Sequence, residues 1–511
     1  MTSLWLDHIA GHRGAVTGRS WDERGRYDTV VVGAGVTGLI AALLLARAGQ
    51  HVAVVEARTI GAVTTGNTTG KLSVLQGTRL AEINRRHASH VLRSYVEGNL
   101  EGQQWLLRYC HEREIPVGTA PDFTFAQTES GGDAVRAQYK AARSAGLPVH
   151  LVSDLEIPVP HSDAVMLDDQ AFLNPMPVLH AVARDLISHG GDLFEHRRVT
   201  SVRSLVRSHI LSTPNGKIEA RRVILATGTP ILDRGGFFAR LTAERSYAAA
   251  FRVPGGAPAG MYLTADQPTR SLRPAEDGRV LVVGGNGHDV GRSTSPQAAV
   301  DDLVAWTGRH FPGATLTHRW SAQDYSSLSA LPYVGPLVPG SDGILVATGY
   351  GKWGLSNGVA AGLVLAGRIL GGHMRWAVAF QSYSPTQLFD IPVAVKENGE
   401  VAMEMVAGWG GALVGRQRAK GRARIVREGL LPVGEYISDG HIERVCAVCP
   451  HLGGVLRWND AESSWDCPLH GSRFTAGGTL LEGPATTDLR RLRSPDSASG
   501  RPGTRRTDCA P

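Results

Sequence analysis

No stretch of this sequence approaches the ~18 uninterrupted apolar residues that a membrane span needs. The longest candidate, Leu39 to Ala46, ends at Arg47. A signal peptide is equally missing: Met1 to Gly14 has no apolar h-region and carries Asp7, His8, His12 and Arg13 where one would lie. Cysteine is scarce, with five in 511 residues, which argues against a disulfide framework. No concentrated charge of one sign occurs either. The formal net charge of +6 is scattered, and its main cluster, Arg416 to Arg424, falls in a linker, so nucleic acid is not an expected partner. These absences leave the expectation of a soluble, cytoplasmic protein, with 42% hydrophobic and 20% charged residues. The length suggests roughly two to four domains.

What is present is punctuated by glycine. Thr29 to Val32 is a β-branched run, Gly33-Ala34-Gly35-Val36-Thr37-Gly38 is a G-x-G-x-x-G turn, and Leu39 to Ala48 is built of helix formers. Gly49 ends that helix, and His51 to Val55 returns as a strand ending at Glu56, eighteen positions after Gly38. A lone glycine triplet is weak, but inside a βαβ unit it predicts a dinucleotide site. Gly33 permits the tight turn, Gly35 lets the backbone approach a pyrophosphate, and Gly38 packs helix on strand. The helix N-terminus at Val36 and Thr37 offers N–H groups to the phosphates. Glu56, followed by Ala57, suits two ribose hydroxyls.

Two further segments favour FAD over NAD. Val223 to Gly228 is a strand running into the small-residue turn Ala226-Thr227-Gly228. Ala347-Thr348-Gly349-Tyr350-Gly351 leads through Trp353-Gly354-Leu355-Ser356-Asn357-Gly358 into a helix. Glycine at that density lets backbone lie against a flat ring, and a helix N-terminus there polarises a flavin carbonyl. Val282 to Gly287 lacks the spacing of a second nucleotide fingerprint, so no NAD(P)H site is expected.

From these motifs the chain resembles the D-amino-acid oxidase-like (DAO/DadA-like) flavoproteins, and among them the subgroup fused to a Rieske domain. The likeness runs from Ser3-Leu4-Trp5-Leu6 through Thr64-Thr65-Gly66-Asn67-Thr68-Thr69-Gly70-Lys71 and Trp320 to Tyr325, then Pro332-Tyr333-Val334-Gly335 and Gly351 to Gly354. The resemblance implies that Thr64, Thr65, Thr68 and Thr69 line the FAD phosphates and ribityl chain. It also implies that Val199 meets adenine and that Leu355 to Gly358 lie near the isoalloxazine. It implies oxidation of an amine or amino acid. Two departures leave the substrate open: Ser326, Ser327 and Ser329 stand where the subgroup has an acid, and Phe380 to Tyr383 lacks its arginine. With no Cys near Gly351 and no His within Val63 to Lys71, covalent flavin attachment at those places is not expected.

The remaining cysteines carry the second signal. Cys449-Pro450-His451 and Cys467-Pro468-Leu469-His470 form C-x-H, fifteen residues, then C-x-x-H. Two loops that each bring one thiolate and one imidazole are what a Rieske [2Fe–2S] centre requires. The alternative is a Cys3His zinc site using Cys446, Cys449, Cys467 and His470. Rieske relatives of this subgroup link the two loops by a disulfide; here Gly454 and Leu469 occupy those positions. Ser472 matches a hydroxyl that donates to a cluster sulfide in high-potential members, and Phe474 replaces their Tyr.

The expected fold is therefore α/β, a Rossmann-like FAD-binding domain with a DAO-type mixed-sheet substrate domain, plus a small all-β C-terminal Rieske domain. The expected divisions are an N-terminal arm at 1–26, the flavin domain at 27–380 and a helical connector and linker at 381–424. The Rieske domain follows at 425–494 and a disordered tail at 495–511. Long helical patterns are expected over Thr78 to Glu112, a final flavin-domain helix over Gly358 to Leu370, and a charged helix around Val395 to Val406. The expected activity is oxidation of an amine or amino-acid-like substrate by hydride transfer to FAD, with electrons passing to the cluster and then to an external acceptor. Two other readings stay open: an oxygen-using oxidase with a structural or regulatory cluster, and a redox sensor or electron carrier without a small-molecule substrate. Asp324, Tyr325 and Tyr350 are candidate wall residues for catalysis.

Overall fold

A computed structural model describes residues 1–10, 21, 25–384, 391–414, 422–438 and 441–493. The expected tail and most of the basic cluster lie outside the described residues. The strand Arg26–Val32 is the hub of the first sheet, because its β-branched residues are buried on both faces, as a central parallel strand demands. It pairs in parallel with Gly216–Leu225 on one side and Val52–Val55 on the other. Asp192–Phe194 and Ser341–Thr348 extend the sheet outward. The helix Val36–Arg47 covers one face, with ten of its residues buried.

A nine-stranded mixed sheet forms the second layer, with the long hairpin-like pair Leu241–Arg252 and Thr315–Ser327 at one edge. Its core is aromatic and aliphatic: Phe125, Tyr247, Phe251, Leu281 and Trp306 pack together. The C-terminal part is all β, in two four-stranded sheets. Trp465 sits at its centre, fully buried, with Trp458 edge-on at 4.7 Å between ring centroids. Gly434 makes room for that ring, since a Cβ there would lie 2.8 Å from Trp465.

Two helices differ in extent from the sequence expectation, and one expected stretch resolves into separate helices. The Thr78–Glu112 pattern is two helices, Arg79–Arg86 and Ser89–Glu112. The break falls at His87 and Ala88, both extended, and the side chains of Arg86 and His87 beside it donate to the carbonyls of Leu328 and Ser329. The final flavin-domain helix starts at Gly354, a turn early, because the buried Asn357 amide is held by Trp353 O, Tyr95 and Asn99. The connector helix runs over Ile391–Val414, longer than its charged segment. No helix is long and apolar enough to cross a membrane among the described residues.

Candidate functional site

At the C-terminal ends of the first sheet's parallel strands lies a cavity of about 540 Å³. Its floor is the glycine turn. Gly33 has φ +108°, and a Cβ on it would stand 2.4 Å from Ala226 O. Gly38 is as constrained, with 2.0 Å from an added Cβ to Gly33 O, so the helix and strand backbones touch there. Glu56 ends the neighbouring strand and accepts the N–H groups of Ala34 and Arg58, each at 2.8 Å. Burial pushes its carboxyl up, and those two N–H groups with Arg198 and Arg58 pull it back. One lone pair on each oxygen remains for a ligand hydroxyl.

Among the residues singled out from sequence, Gly33, Gly35, Val36, Thr37, Glu56, Ala57, Thr64, Thr65, Thr68 and Thr69 line this cavity. So do Val199, Ala226, Thr227, Gly228, Gly354 and Leu355, together with Asp324, Tyr325 and Tyr350. Gly38, Gly349, Ser356 and Gly358 do not. Gly358 instead lets two helices meet, since a Cβ there would lie 2.8 Å from Thr37 Oγ. Ser356 accepts Gln76 Nε2 in a buried amide lattice with Tyr95, Asn99 and Asn357, which fixes the start of the Gly354–Leu370 helix behind the cavity.

The other end of the cavity is polar, and apart from Asp324 the sequence did not single out its groups. Lys352 pairs with Glu244 at 2.7 Å, and Glu244 accepts Ser326 Oγ at 2.5 Å. The acid missing from Ser326–Ser329 thus arrives from the adjacent strand. Asp324 accepts the backbone N–H groups of Tyr325 and Lys352. Lys71 donates to Tyr262 O at 2.8 Å, and burial pulls it down to about 8 against the attraction of Asp122.

The two Cys/His loops are built alike. Cys449 N–H donates to Gly454 O and Gly453 N–H returns to Cys449 O; Cys467 N–H donates to Ser472 O and Gly471 N–H returns to Cys467 O. In each loop the fifth residue is a glycine with positive φ, +73° at Gly453 and +81° at Gly471. The loops face each other, and Leu469 fills the space over Gly454, where an added Cβ would lie 2.6 Å from Leu469 Cδ1. That apolar contact takes the place of a covalent link between the loops. Both thiols are buried, and their shared proton lowers Cys449 while raising Cys467.

The donor set fits a [2Fe–2S] centre. His470 Nδ1 is buried with no hydrogen-bond partner among the described residues, as an atom reserved for metal would be. Burial draws His470 down to about 4, which keeps it a neutral imidazole. His451 Nε2 donates to Asp233 at 2.7 Å, which leaves Nδ1 for coordination. The glycine cradle fits FAD equally, because Gly33, Gly35, Val36 and Thr37 bring the turn and the N-terminus of the Val36–Arg47 helix to the cavity floor, with Glu56 beside them.

The two imidazoles do not face solvent. The side chain of His451 is 6% exposed, and Phe238 of the flavin domain stands edge-on to both imidazoles, at 6.1 Å from His451 and 5.4 Å from His470. Gln323 Nε2 donates to Gly471 O and to Tyr325 OH, both at 2.8 Å. The interface is pinned by a buried ion cluster. Arg245 from the flavin domain and Arg473 from the Rieske part share Glu462 and Glu482, and Arg473 also bonds Asp466. Against the cost of burial, the two guanidinium groups hold Glu462 well below the usual carboxylate range. Removing one member of such a cluster costs about 3–5 kcal/mol.

Comparison with known proteins agrees with both halves. Residues 28–368 match the family model described as FAD dependent oxidoreductase (DAO), and residues 412–493 match the Rieske [2Fe-2S] domain. The chain is similar to YhfW of Bacillus subtilis (strain 168), named as a Rieske 2Fe-2S iron-sulfur protein. The two are 26% identical over 476 residues, 91% of this chain and 93% of that one. A shorter segment is 51% identical over 55 residues to the cytochrome b6-f complex iron-sulfur subunit 1 of Nostoc sp. (strain PCC 7120), 11% of this chain and 29% of that protein. Among solved structures, glycine oxidase from Geobacillus kaustophilus superposes with a TM-score of 0.60 at 20% identity, over 70% of this chain and 99% of that one. L-proline dehydrogenase from P. horikoshii gives 0.57 at 16%, over 74% and 99%. These last two likenesses are of fold.

Proposed function

The chain belongs to the DAO family of FAD-dependent oxidoreductases and carries a C-terminal Rieske [2Fe–2S] domain, and from that premise we propose that it oxidises an amine or amino-acid-like substrate and passes the electrons to the cluster. When bound, FAD supplies a two-electron acceptor and the Rieske centre a one-electron acceptor.

The observation that carries this reading is the contact between cavity and cluster loop. Tyr325 lines the cavity, Gln323 bonds Tyr325, and the same amide bonds Gly471, next to His470. Two hydrogen bonds therefore join the cavity wall to a ligand loop. The names of the structural neighbours, glycine oxidase and L-proline dehydrogenase, support the substrate class. So does the wall itself: the Glu244–Lys352 pair offers an anion to a substrate ammonium and a cation to a carboxylate.

The test is anaerobic mixing of the loaded protein with a panel of amines and amino acids, followed by flavin absorbance and cluster electron paramagnetic resonance. Flavin bleaching followed by appearance of the reduced-cluster signal is expected. A panel in which no member bleaches the flavin excludes the substrate class, and bleaching with a cluster that stays oxidised excludes the relay.

Asp324 gives this reaction a pH dependence. Its place in the cavity wall, away from bulk water, pushes its carboxyl up to about 6, against the pull of two backbone N–H groups. The folded state holds this proton more tightly than the unfolded chain does. The linked stability is therefore full below the ordinary Asp range and is lost as pH rises through about 6. Flavin reduction by substrate is expected to accelerate through the same value as the anion forms, and Asp324→Asn to flatten the profile. A variant profile identical to wild type removes Asp324 from the reaction.

Asp233 bears on the cluster rather than the substrate. A carboxylate on a ligand imidazole favours the more positive, oxidised centre. Asp233→Ala is expected to raise the midpoint potential by on the order of tens of mV, a modest figure because this side chain is half exposed. A redox titration followed by circular dichroism measures it, and an unmoved potential refutes the assignment.

A further inference from the structure

The cavity has a wall that belongs to neither sheet of the flavin domain. Leu481, Glu482, Gly483, Ala485 and Thr486, at the far end of the Rieske part, line the same space as Gly33 and Glu56. We propose that this segment is part of the FAD site, closing the nucleotide half of the cavity, so that FAD exchanges only when the two domains separate. The inference needs only that the cavity holds FAD; it is independent of substrate and of electron transfer to the cluster.

Two hydrogen bonds locate the segment. Arg198, which neighbours the ribose-side acid Glu56, donates from Nη2 to Leu480 O at 3.1 Å. Tyr325 OH donates to Gly483 O at 3.1 Å, and the ring of Tyr325 lies 3.3 Å from where a Cβ on Gly228 would be. The strand Leu480–Glu482 and the turn after it therefore run from the Glu56 end toward the middle of the cavity.

The segment is held rigidly at both ends. Glu482 is bonded to Arg245 and Arg473, so its charge is already balanced beside a site meant for phosphates. Ala485 N–H donates to Ser472 Oγ at 3.0 Å, which ties the turn to the second Cys/His loop. Moving the segment aside means breaking the Arg245 ion cluster, and small rearrangements of a loop cannot do that. A buried network of this kind acts mainly on dissociation rates.

The experiment uses the full-length protein loaded with both cofactors and measures exchange of bound FAD for added isotopically labelled FAD. Arg245 does not itself line the cavity, so Arg245→Ala removes the flavin-domain half of the ion cluster, including its pair with Glu482, while leaving every lining side chain in place, and is expected to exchange about tenfold faster than wild type. In the opposite direction, Ser295 Oγ and Asp460 Oδ2 meet across the interface at 3.2 Å. The pair Ser295→Cys with Asp460→Cys, once oxidised, is expected to exchange about tenfold more slowly, and to return to the wild-type rate on reduction. Should Arg245→Ala fail to fold, the stapled pair decides alone, because its oxidised and reduced forms are the same variant and differ only in the crosslink. Equal exchange rates with the staple closed and open overturn the proposal.

Discussion

Gly33→Ala is expected to give a protein that keeps its iron and loses its flavin. At φ +108° an L side chain is strained, and its Cβ would sit 2.4 Å from Ala226 O and 3.0 Å from Ala226 C. Both atoms are backbone, and neither can swing away as a side-chain tip would. They belong to the turn leaving the Gly216–Leu225 strand, whose register with Arg26–Val32 is secured by the Ala226 N–H bond to Val32 O. Relief must therefore part the two central strands, at a cost of about 1–3 kcal/mol for the dihedral alone and more for the clash. The parting also tilts the helix N-terminus that would receive the pyrophosphate. The Rieske part has its own core around Trp465 and Phe474, so its iron is expected to stay. Gly49→Ala is the control: its φ is also positive, at +81°, yet nothing lies within 4 Å of an added Cβ, and both cofactors should remain. Flavin absorbance and iron content on the same preparation measure the outcome. A Gly33→Ala protein with one flavin per chain contradicts the reading of this turn.

The converse substitution should be asymmetric. Cys467→Ser removes a thiolate that is 2% exposed and faces Cys449 across the loop pair, and a complete loss of the [2Fe–2S] centre is expected. Metal coordination is folding free energy for small domains of this type. The second loop loosens with it, and through Ser472 Oγ and Ala485 so does the turn against the flavin cavity. The Cys467→Ser protein should therefore purify yellow but release FAD faster than wild type, whereas Gly33→Ala should leave the cluster untouched. Iron analysis, cluster resonance and FAD exchange separate the outcomes. Retained iron in this variant would falsify the ligand assignment, and iron lost with FAD exchange unchanged would uncouple the two sites.

The chemistry of each half was legible because each is written locally. The Gly33–Gly38 turn, Glu56 and the helix between them lie in one βαβ unit, where sterics and hydrogen-bonding geometry act over a few residues. The same holds for Cys449 with His451 and for Cys467 with His470, each pair on a single turn closed by a positive-φ glycine. Gly38 packs helix on strand as its place in the motif predicts, whereas Gly358, read as lying near the isoalloxazine, sits where two helices meet. A demand for no Cβ looks the same in sequence whether a ligand or a helix makes it.

Beyond those turns, distance along the chain hid the answer. His451 meets Asp233 across 218 residues, Gln323 meets Gly471 across 148, and Arg245 meets Glu462 across 217. None of these partners carries a motif, since an arginine or a glutamate at a domain surface has the same side chain whether it faces water or another domain. Sequence determined that this chain has a seat for a flavin and a pair of loops for an iron–sulfur centre, because both are made by neighbours along the backbone. Only the tertiary structure decided that the cluster's histidines point inward and that the Rieske part walls the flavin cavity. Those facts depend on how two separately formed cores bury charge against each other.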